Sequence, residues 1–348
     1  MSNEPALEIS EIDVHDDAAL TEWYDVSAAA LNEGMGEHST VWGLAELRVS
    51  VREPSRVLER HLYVGRVGGV AVAVGAHVMP LLDNLEAATI VCEVAPEHRR
   101  RGYGSEMLAF VEQRAPELGR PLLDNLVSWP DSHGADGSGW PGCEFATARG
   151  YRLTLGDVQR ELSLPVDDRL LDDLATEAAS HHDGYRLTSW VGAVPEQLAL
   201  GWETLASSLV TEAPTGDREI EPEVADVANL REREAVAAKQ GRTIVCTAAL
   251  TGDGEVAAYT DLAVTPHEPG KAYQWGTLVR TADRGHRLGL AVKVANLRLL
   301  QSLDLGVERL ITWNAEVNSH MVGVNVRLGF RAVARAGEFQ KRLDSSAP

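Results

Sequence analysis

The stretch Val94-Ala95-Pro96-Glu97-His98-Arg99-Arg100-Arg101-Gly102-Tyr103-Gly104-Ser105 follows an apolar run with strand character, Ala87 to Val94, and precedes residues at helical spacing, Ser105, Met107, Leu108, Val111 and Glu112. A strand, a glycine-containing turn and a helix in that order form a phosphate cradle. The first N–H groups of a helix have no intrahelical acceptor, and the helix pole carries roughly +0.5 of a charge. Glycines let an anion approach the backbone. Three consecutive arginines beside a positive pole are unfavourable without an anion, so the expected guest is a diphosphate. The chain has no G-x-x-x-x-G-K-S/T run, and the stretch lacks the glycine count and downstream acid of a dinucleotide fingerprint, so neither ATP nor NAD is indicated.

Upstream of this loop the pattern reads as a strand from Leu7 to Val14, then helices over Ala18 to Leu31 and Thr40 to Val51. Strands follow at Arg56 to Val67 and Val70 to Met79, with Gly68-Gly69 as a hairpin turn. Downstream, Pro121 to Val127 returns to strand character, and Asp131 to Gly142 is glycine-rich and reads as a mobile loop. A short helix over Cys143 to Arg149 ends at Gly150, and a strand from Tyr151 to Leu164 is expected to finish the domain.

The second half repeats the plan. A strand at Tyr185 to Trp190 leads to helices near Glu196 to Val210 and Glu223 to Gln240, then to strands Thr243 to Thr251, Glu255 to Val264 and Ala272 to Val279. A helix over Leu290 to Leu303, a strand Arg309 to Trp313, a helix Ser319 to Leu328 and a strand from Phe330 complete it. The expected division is residues 1–165, an acidic helical linker at 166–184, and residues 185–348. His181-His182 in that linker lacks a third ligand at metal spacing, so a solvated pair is expected and no metal site.

The loop resembles the acyl-CoA signature of the GNAT acetyltransferase superfamily, Q/R-x-x-G-x-G/A after a strand ending near V-x-P. Arg99, Gly102 and Gly104 match its fixed positions, and Val94 and Pro96 match the strand end. The order of elements in both halves is similar to tandem two-domain members of that superfamily, including the mycothiol synthase-like group. The resemblance implies an α/β (α+β) fold of two tandem GNAT-like domains, each a mixed, mostly antiparallel sheet flanked by helices. It further implies acetyl-CoA or another acyl-CoA as cofactor, with Val94, Arg99, Arg100, Arg101, Gly102, Tyr103, Gly104 and Ser105 holding it.

At the same place in the second half stands Thr277 to Gly289. Val279, Arg284, Gly285, His286, Arg287, Leu288 and Gly289 are the matching cofactor positions, but Arg287 replaces the central glycine of the signature. A side chain there either crowds a pyrophosphate or donates to it. A frame from His286 to Ala291 restores Gly289 and Ala291 and loses the arginine. Further on, Asn318 matches an asparagine that helps hold the cofactor. The tyrosine that protonates the leaving thiolate in many members is replaced by Asn325 in the second half and Ala146 in the first.

The implied reaction is direct attack of a deprotonated amine on the thioester carbonyl, polarised by a backbone N–H near Val94 or Val279. Glu86 and Asp261 are candidate general bases, each with a solvated or structural reading beside it. Glu86 shares the face of Ala88 by strand alternation, whereas Glu93 points the other way. Cys92 on the same strand is expected to be a small buried residue rather than a nucleophile. Trp42, Trp129, Trp140, Trp190 and Trp275 either line acceptor pockets or serve the core.

Composition bounds the rest. Lys+Arg number 32 against 52 Asp+Glu, a formal net charge of -20, which opposes binding to nucleic acid. Cys92, Cys143 and Cys246 lie far apart without a C-x-x-C pair, and this fits a reducing cytoplasm. No apolar stretch approaches the roughly 18 residues of a membrane span, so a soluble, unprocessed chain is expected. The leading expectation is an N-acyltransferase acting on an amine of a small molecule or peptide, as a pseudo-dimeric monomer or a homodimer. The rival is a non-catalytic acyl-CoA sensor or scaffold with one degenerate domain.

Overall fold

A computed structural model of the chain describes residues 6–344. The first half runs β1 (Glu8–Glu11), α1 (Asp17–Asn32), α2 (Leu44–Arg52), β2 (Leu58–Val67), β3 (Val70–Pro80), β4 (Ala87–Val94), α3 (Tyr103–Glu117), β5 (Leu122–Pro130), α4 (Pro141–Ala148) and β6 (Arg152–Ser163). The second runs α5 (Asp168–Ala179), β7 (Arg186–Val191), α6 (Glu196–Glu212), α7 (Val227–Lys239), β8 (Thr243–Leu250), β9 (Val256–Val264), β10 (Lys271–Val279), α8 (Leu288–Ser302), β11 (Arg309–Ala315), α9 (Ser319–Leu328) and β12 (Arg331–Arg342). After the extra helix α5 the second half thus repeats the element order of the first, with helices flanking mixed sheets.

Local chemistry explains the element ends. Asp16 caps α1 by accepting from the N–H groups of Ala18 (2.8 Å) and Ala19 (3.2 Å), which is worth about 1 kcal/mol. Gly68 and Gly69 both take positive φ (+57° and +83°), the requirement of a two-residue hairpin whose twist matches β2 and β3. Within Asp131 to Gly142 the backbone makes two close approaches to the core. Trp129 Nε1 donates to Gly134 O at 2.8 Å, and a Cβ at Gly137 would stand 2.4 Å from Cys143 Sγ.

The chain folds into two compact units, and they exchange strands. The first comprises residues up to Gly156, Gly216–Glu219, and residues from Ala334; the second holds Asp157–Thr215 and Ile220–Val333. In the first unit the strands lie in the order β1-β2-β3-β4-β5-β12, antiparallel except for β4 with β5. In the second the order is β6-β11-β10-β9-β8-β7, antiparallel except for β10 with β11.

The expected boundary at 165 and the linker at 166–184 are therefore corrected. Asp157 to Ser163 pairs with β11 rather than closing the first sheet, and Ala334 to Arg342 pairs residue for residue with Pro130 to Leu122. Either closing strand would satisfy a neighbour, because strand pairing is chosen by cross-strand contacts that sequence periodicity does not encode. Nor is α5 a linker. It buries Leu171, Leu174 and Ala178 in the core it shares with Leu290, Val294 and Leu297 of α8.

Each unit packs helices on both faces of its sheet. In the first, Met107, Leu108 and Val111 of α3 meet Ala88 and Ile90 on one face, while Leu20, Trp23 and Val26 of α1 meet Val74 and Ala76 on the other. At Gly75 in β3 a Cβ would stand 2.7 Å from Met107 Sδ, so glycine is what lets α3 lie this close. That packing aims the N-terminus of α3 at the end of β4.

Candidate functional site

In the first unit the parallel pair β4 and β5 is joined at three positions only, Ala87 to Leu122, Ala88 to Leu123 and Thr89 to Asp124. Beyond them the strands diverge. Asn125 Nδ2 reaches across to Ile90 O at 2.9 Å. Along a strand the N–H and C=O of one residue point to the same edge, and the edge alternates. Ala95 N donates to Val72 O beside β3, so Cys92 and Val94 share the opposite edge with Ile90, the edge that opens into the wedge.

The loop Val94 to Ser105 closes this wedge at one end. Gly102 caps α3 in the left-handed region (φ +97°) with no side-chain cap bond, and the nearest atom to a Cβ there would be Glu106 Oε1 at 3.8 Å. Gly104 sits tighter. A Cβ would touch Val94 Cγ2 at 3.4 Å and the Phe145 ring at 3.6 Å, so glycine keeps the backbone N–H groups of the first turn open to an anion.

The sequence candidates divide by what their side chains do. Arg99 is structural, its Nε donating to Val94 O (3.2 Å) and its Nη2 to Ala30 O (2.9 Å). Arg100 stands at φ +64° and makes no hydrogen bond or ion pair among the described residues. Arg101 donates to Glu97 O at 3.2 Å. Tyr103 is buried in the α3 core and offers only its backbone. Ser105 accepts from Arg149 Nη2, and that guanidinium also lies over the Phe145 ring at 5.1 Å. Arg149, 44 residues downstream of Ser105, is a cradle neighbour that the motif does not reveal.

Glu93 occupies the wall of the wedge on the α1 side. It pairs across the sheet with Val74, and although the residue is partly exposed, its Oε2 is enclosed without a hydrogen-bond partner. Burial pushes the carboxyl up to about 7, against a hydrogen bond from Ser27 and the charge of Arg99, which favour the ionised form. Glu86, the sequence candidate, is a solvated partner of Arg342 at 3.0 Å. Cys92 is a poor nucleophile: its Sγ donates toward Gly104 O at 3.4 Å, and burial lifts the thiol to about 12, away from the thiolate form.

The second unit repeats the wedge. β10 and β11 pair only from Lys271–Arg309 to Tyr273–Ile311, a bulge follows in β10 between Gln274 and Thr277, and Thr312 Oγ1 reaches Gln274 O at 3.4 Å. Val279 Cγ2 lies 3.6 Å from a Cβ at Gly289, the counterpart of Val94 and Gly104.

Its loop is filled differently. Arg287 caps α8 at φ +53°, a left-handed position that a side chain adopts at a cost, and its Nη1 pairs with Glu177 of α5. Arg327 pairs with the same carboxylate. Arg284 Nη2 meets Glu212 Oε2 at 2.5 Å, and His286 Nδ1 lies 3.0 Å from His181 O. Gly285 takes φ +91°, and Leu288 is buried in the core.

Asp261 lies on β9 facing Cys246 across the pair, and its Oδ1 accepts from Gly276 N in the bulge at 2.9 Å. Burial raises its carboxyl above the ordinary range. Asn318 caps α9, its Oδ1 accepting from Met321 N at 3.2 Å. Asn325, at the tyrosine position, is fully buried, with Nδ2 donating to Asn314 Oδ1 at 2.5 Å and Oδ1 unpartnered.

Lys293 stands on the buried, mostly apolar face of α8, a lone charge in a hydrophobic pattern. It is 2 % exposed, has no ion pair among the described residues, and lies 5.7 Å from the Phe330 ring.

Residues 29–134 match the family model described as Acetyltransferase (GNAT) family. Among solved structures, a tandem GNAT protein from the clavulanic acid biosynthesis pathway, without AcCoA, matches 98% of this chain and 100% of its own at 25% identity, with a TM-score of 0.79. A GCN5-related N-acetyltransferase from Sphaerobacter thermophilus covers 96% of this chain and 95% of its own at 15% identity and TM-score 0.63. A GCN5-related glucosamine N-acetyltransferase region of a fungal multi-domain GH3 beta-N-acetylglucosaminidase covers 96% of this chain and 38% of its own, at 15% identity and TM-score 0.61; these last two likenesses concern the fold. No curated protein matches the chain.

Proposed function

On the premise that this chain carries a GNAT acetyltransferase-family domain within a tandem GNAT fold, we propose that it is an acyl-CoA-dependent N-acyltransferase whose working site is in the first unit. One observation carries the reading: an open helix N-terminus with an uncommitted arginine stands at one end of a strand wedge whose wall holds a carboxylate poised near neutrality. The loop Val94 to Ser105, with Arg100, Arg101 and Arg149, would hold the diphosphate end of acetyl-CoA or a related acyl-CoA. The thioester supplies an activated acyl group.

Glu93, ionised at and above about pH 7, takes a proton from the acceptor ammonium and delivers a neutral amine to the wedge. The Val94 N–H points into the same space, where it would stabilise negative charge developing on the carbonyl oxygen. As the amide bond forms and the carbon–sulfur bond breaks, the thiolate takes its proton from solvent, since Ala146 stands where related proteins carry a tyrosine. The acceptor in this reading is an amine of a small molecule or peptide, in the cytoplasm.

The test is thiol release from acetyl-CoA with a panel of amines. Wild type should turn over with kcat/KM rising through a pKa near 7. Glu93→Gln should lower it by about 10²- to 10⁴-fold and abolish that limb. CoA binding with no release for any amine would favour an acyl-CoA sensor, a reading the two missing tyrosines support.

A further inference from the structure

The two loops at the helix N-termini have the same backbone plan and opposite electrostatic states. In the first unit Arg100 has no partner among the described residues and Arg101 meets only a backbone carbonyl. In the second, every charged side chain of the cradle already has an acceptor. Arg284 meets Glu212 at 2.5 Å, and Thr281 Oγ1 lies 3.1 Å from the same Oε2. Arg287 and Arg327 converge on Glu177, one carboxylate oxygen each. His286 Nδ1 is engaged by His181 O, and the Tyr185 ring packs on His286 with centroids 5.3 Å apart.

We propose that Glu177 is an intramolecular ligand of the second cradle, a carboxylate standing where a cofactor diphosphate would be held, so that the chain binds one acyl-CoA rather than two; Glu212 instead ties down Arg284, the counterpart of the structural Arg99. The inference rests on the reading that the first cradle binds acyl-CoA. Charge and geometry both support it. A carboxylate presents two oxygens to arginines much as a phosphate does, and Glu177 uses both. It is placed by α5, which the core fixes through Leu171, Leu174 and Ala178. A tethered carboxylate acts at high effective concentration, so a free diphosphate must displace it.

Glu177 is about one-third exposed, at 35%, and its arginines Arg287 and Arg327 somewhat more, at 40% and 39%. Individually such pairs stabilise little. The block is therefore releasable, which makes it testable. The αL arginine adds a second barrier, because its Cβ and side chain occupy a turn where Gly102 leaves space in the first unit.

The experiment is calorimetric titration of CoA into the full chain. Wild type should bind one CoA, and Gly102→Glu should remove it. Glu177→Gln should bind two, the second weaker and sensitive to salt. Arg287→Gly, which restores the signature glycine and removes one ion pair, should also gain a second site; circular dichroism verifies that each variant is folded. Two sites in wild type, or a single site in both Glu177→Gln and Arg287→Gly, overturns the inference. If wild type binds one CoA that Gly289→Glu abolishes and Gly102→Glu does not, it is the reading of the first cradle that fails.

Discussion

Replacing Lys293 by methionine should stabilise the protein at neutral pH, and the gain should vanish in alkali. The amine is pushed from its ordinary value of 10.5 down to about 7, by desolvation first, with the charge of Asp261 pulling the other way. At about 1.4 kcal/mol per pH unit, that displacement corresponds to about 5 kcal/mol of penalty on the protonated form. At pH 7, where half of the folded molecules would carry the proton, about 4 kcal/mol of it weakens the native state. Because the folded value is the lower one, the unfolded chain binds more protons between about pH 7 and 10.5, and wild-type stability rises with pH across that window. Methionine has similar volume and no charge; its insertion removes Asp261's cationic neighbour, which returns part of the gain. The net expectation is about 1 to 4 kcal/mol in guanidinium chloride unfolding at pH 7, shrinking to under about 1 kcal/mol at pH 10. A destabilised variant, or a difference equal at the two pH values, refutes the reasoning.

Further outcomes follow from the first unit. Glu93 runs in the opposite sense: its folded value lies above its ordinary 4.5, so its contribution is complete below that value and is lost as pH rises toward about 7. Glu93→Gln should therefore flatten the fall in stability between pH 4.5 and 7, read by thermal unfolding across that range. Gly104→Val should weaken CoA binding at least tenfold in calorimetry, because a Cβ already contacts Val94 and Phe145 and the added methyls project over the first turn of α3. Glu86→Gln should leave turnover within about twofold, since it removes only a surface ion pair with Arg342. Native protein should show no fast-reacting thiol toward iodoacetamide at pH 7, with Cys92 and Cys143 both held at about 12 and Cys246 higher still by burial.

Much of the architecture was legible because it is written in short-range pattern. Ala87 to Val94 as a strand, Gly68-Gly69 as its neighbours' hairpin, and the glycine turn before α3 need only local periodicity and φ requirements. The exchange of β6 and β12 is a choice between partners far apart in sequence, which local periodicity does not specify. For α5, the acidic composition of its helical pattern reads as a linker, while the Leu171, Leu174, Ala178 stripe is what docks it.

The site divided in the same way. Strand alternation correctly set Glu93 on the face opposite Ala88, but that face is the α1 side of the wedge, and only tertiary packing makes it useful. The arginines of the second loop looked like ligands for a phosphate. Their partners Glu177 and Glu212 lie outside the motif, so their engagement could not be read from it.

CoA affinity of wild type against Gly102→Glu tests the central claim most directly. The substitution places a carboxylate at the left-handed cap of α3 beside the proposed diphosphate position; a Cβ there meets nothing nearer than Glu106 Oε1 at 3.8 Å, although φ +97° strains any side chain, so circular dichroism accompanies the titration. Loss of at least a hundredfold in affinity, with unchanged circular dichroism, is the expected result. Equal affinity in the two proteins would contradict the account.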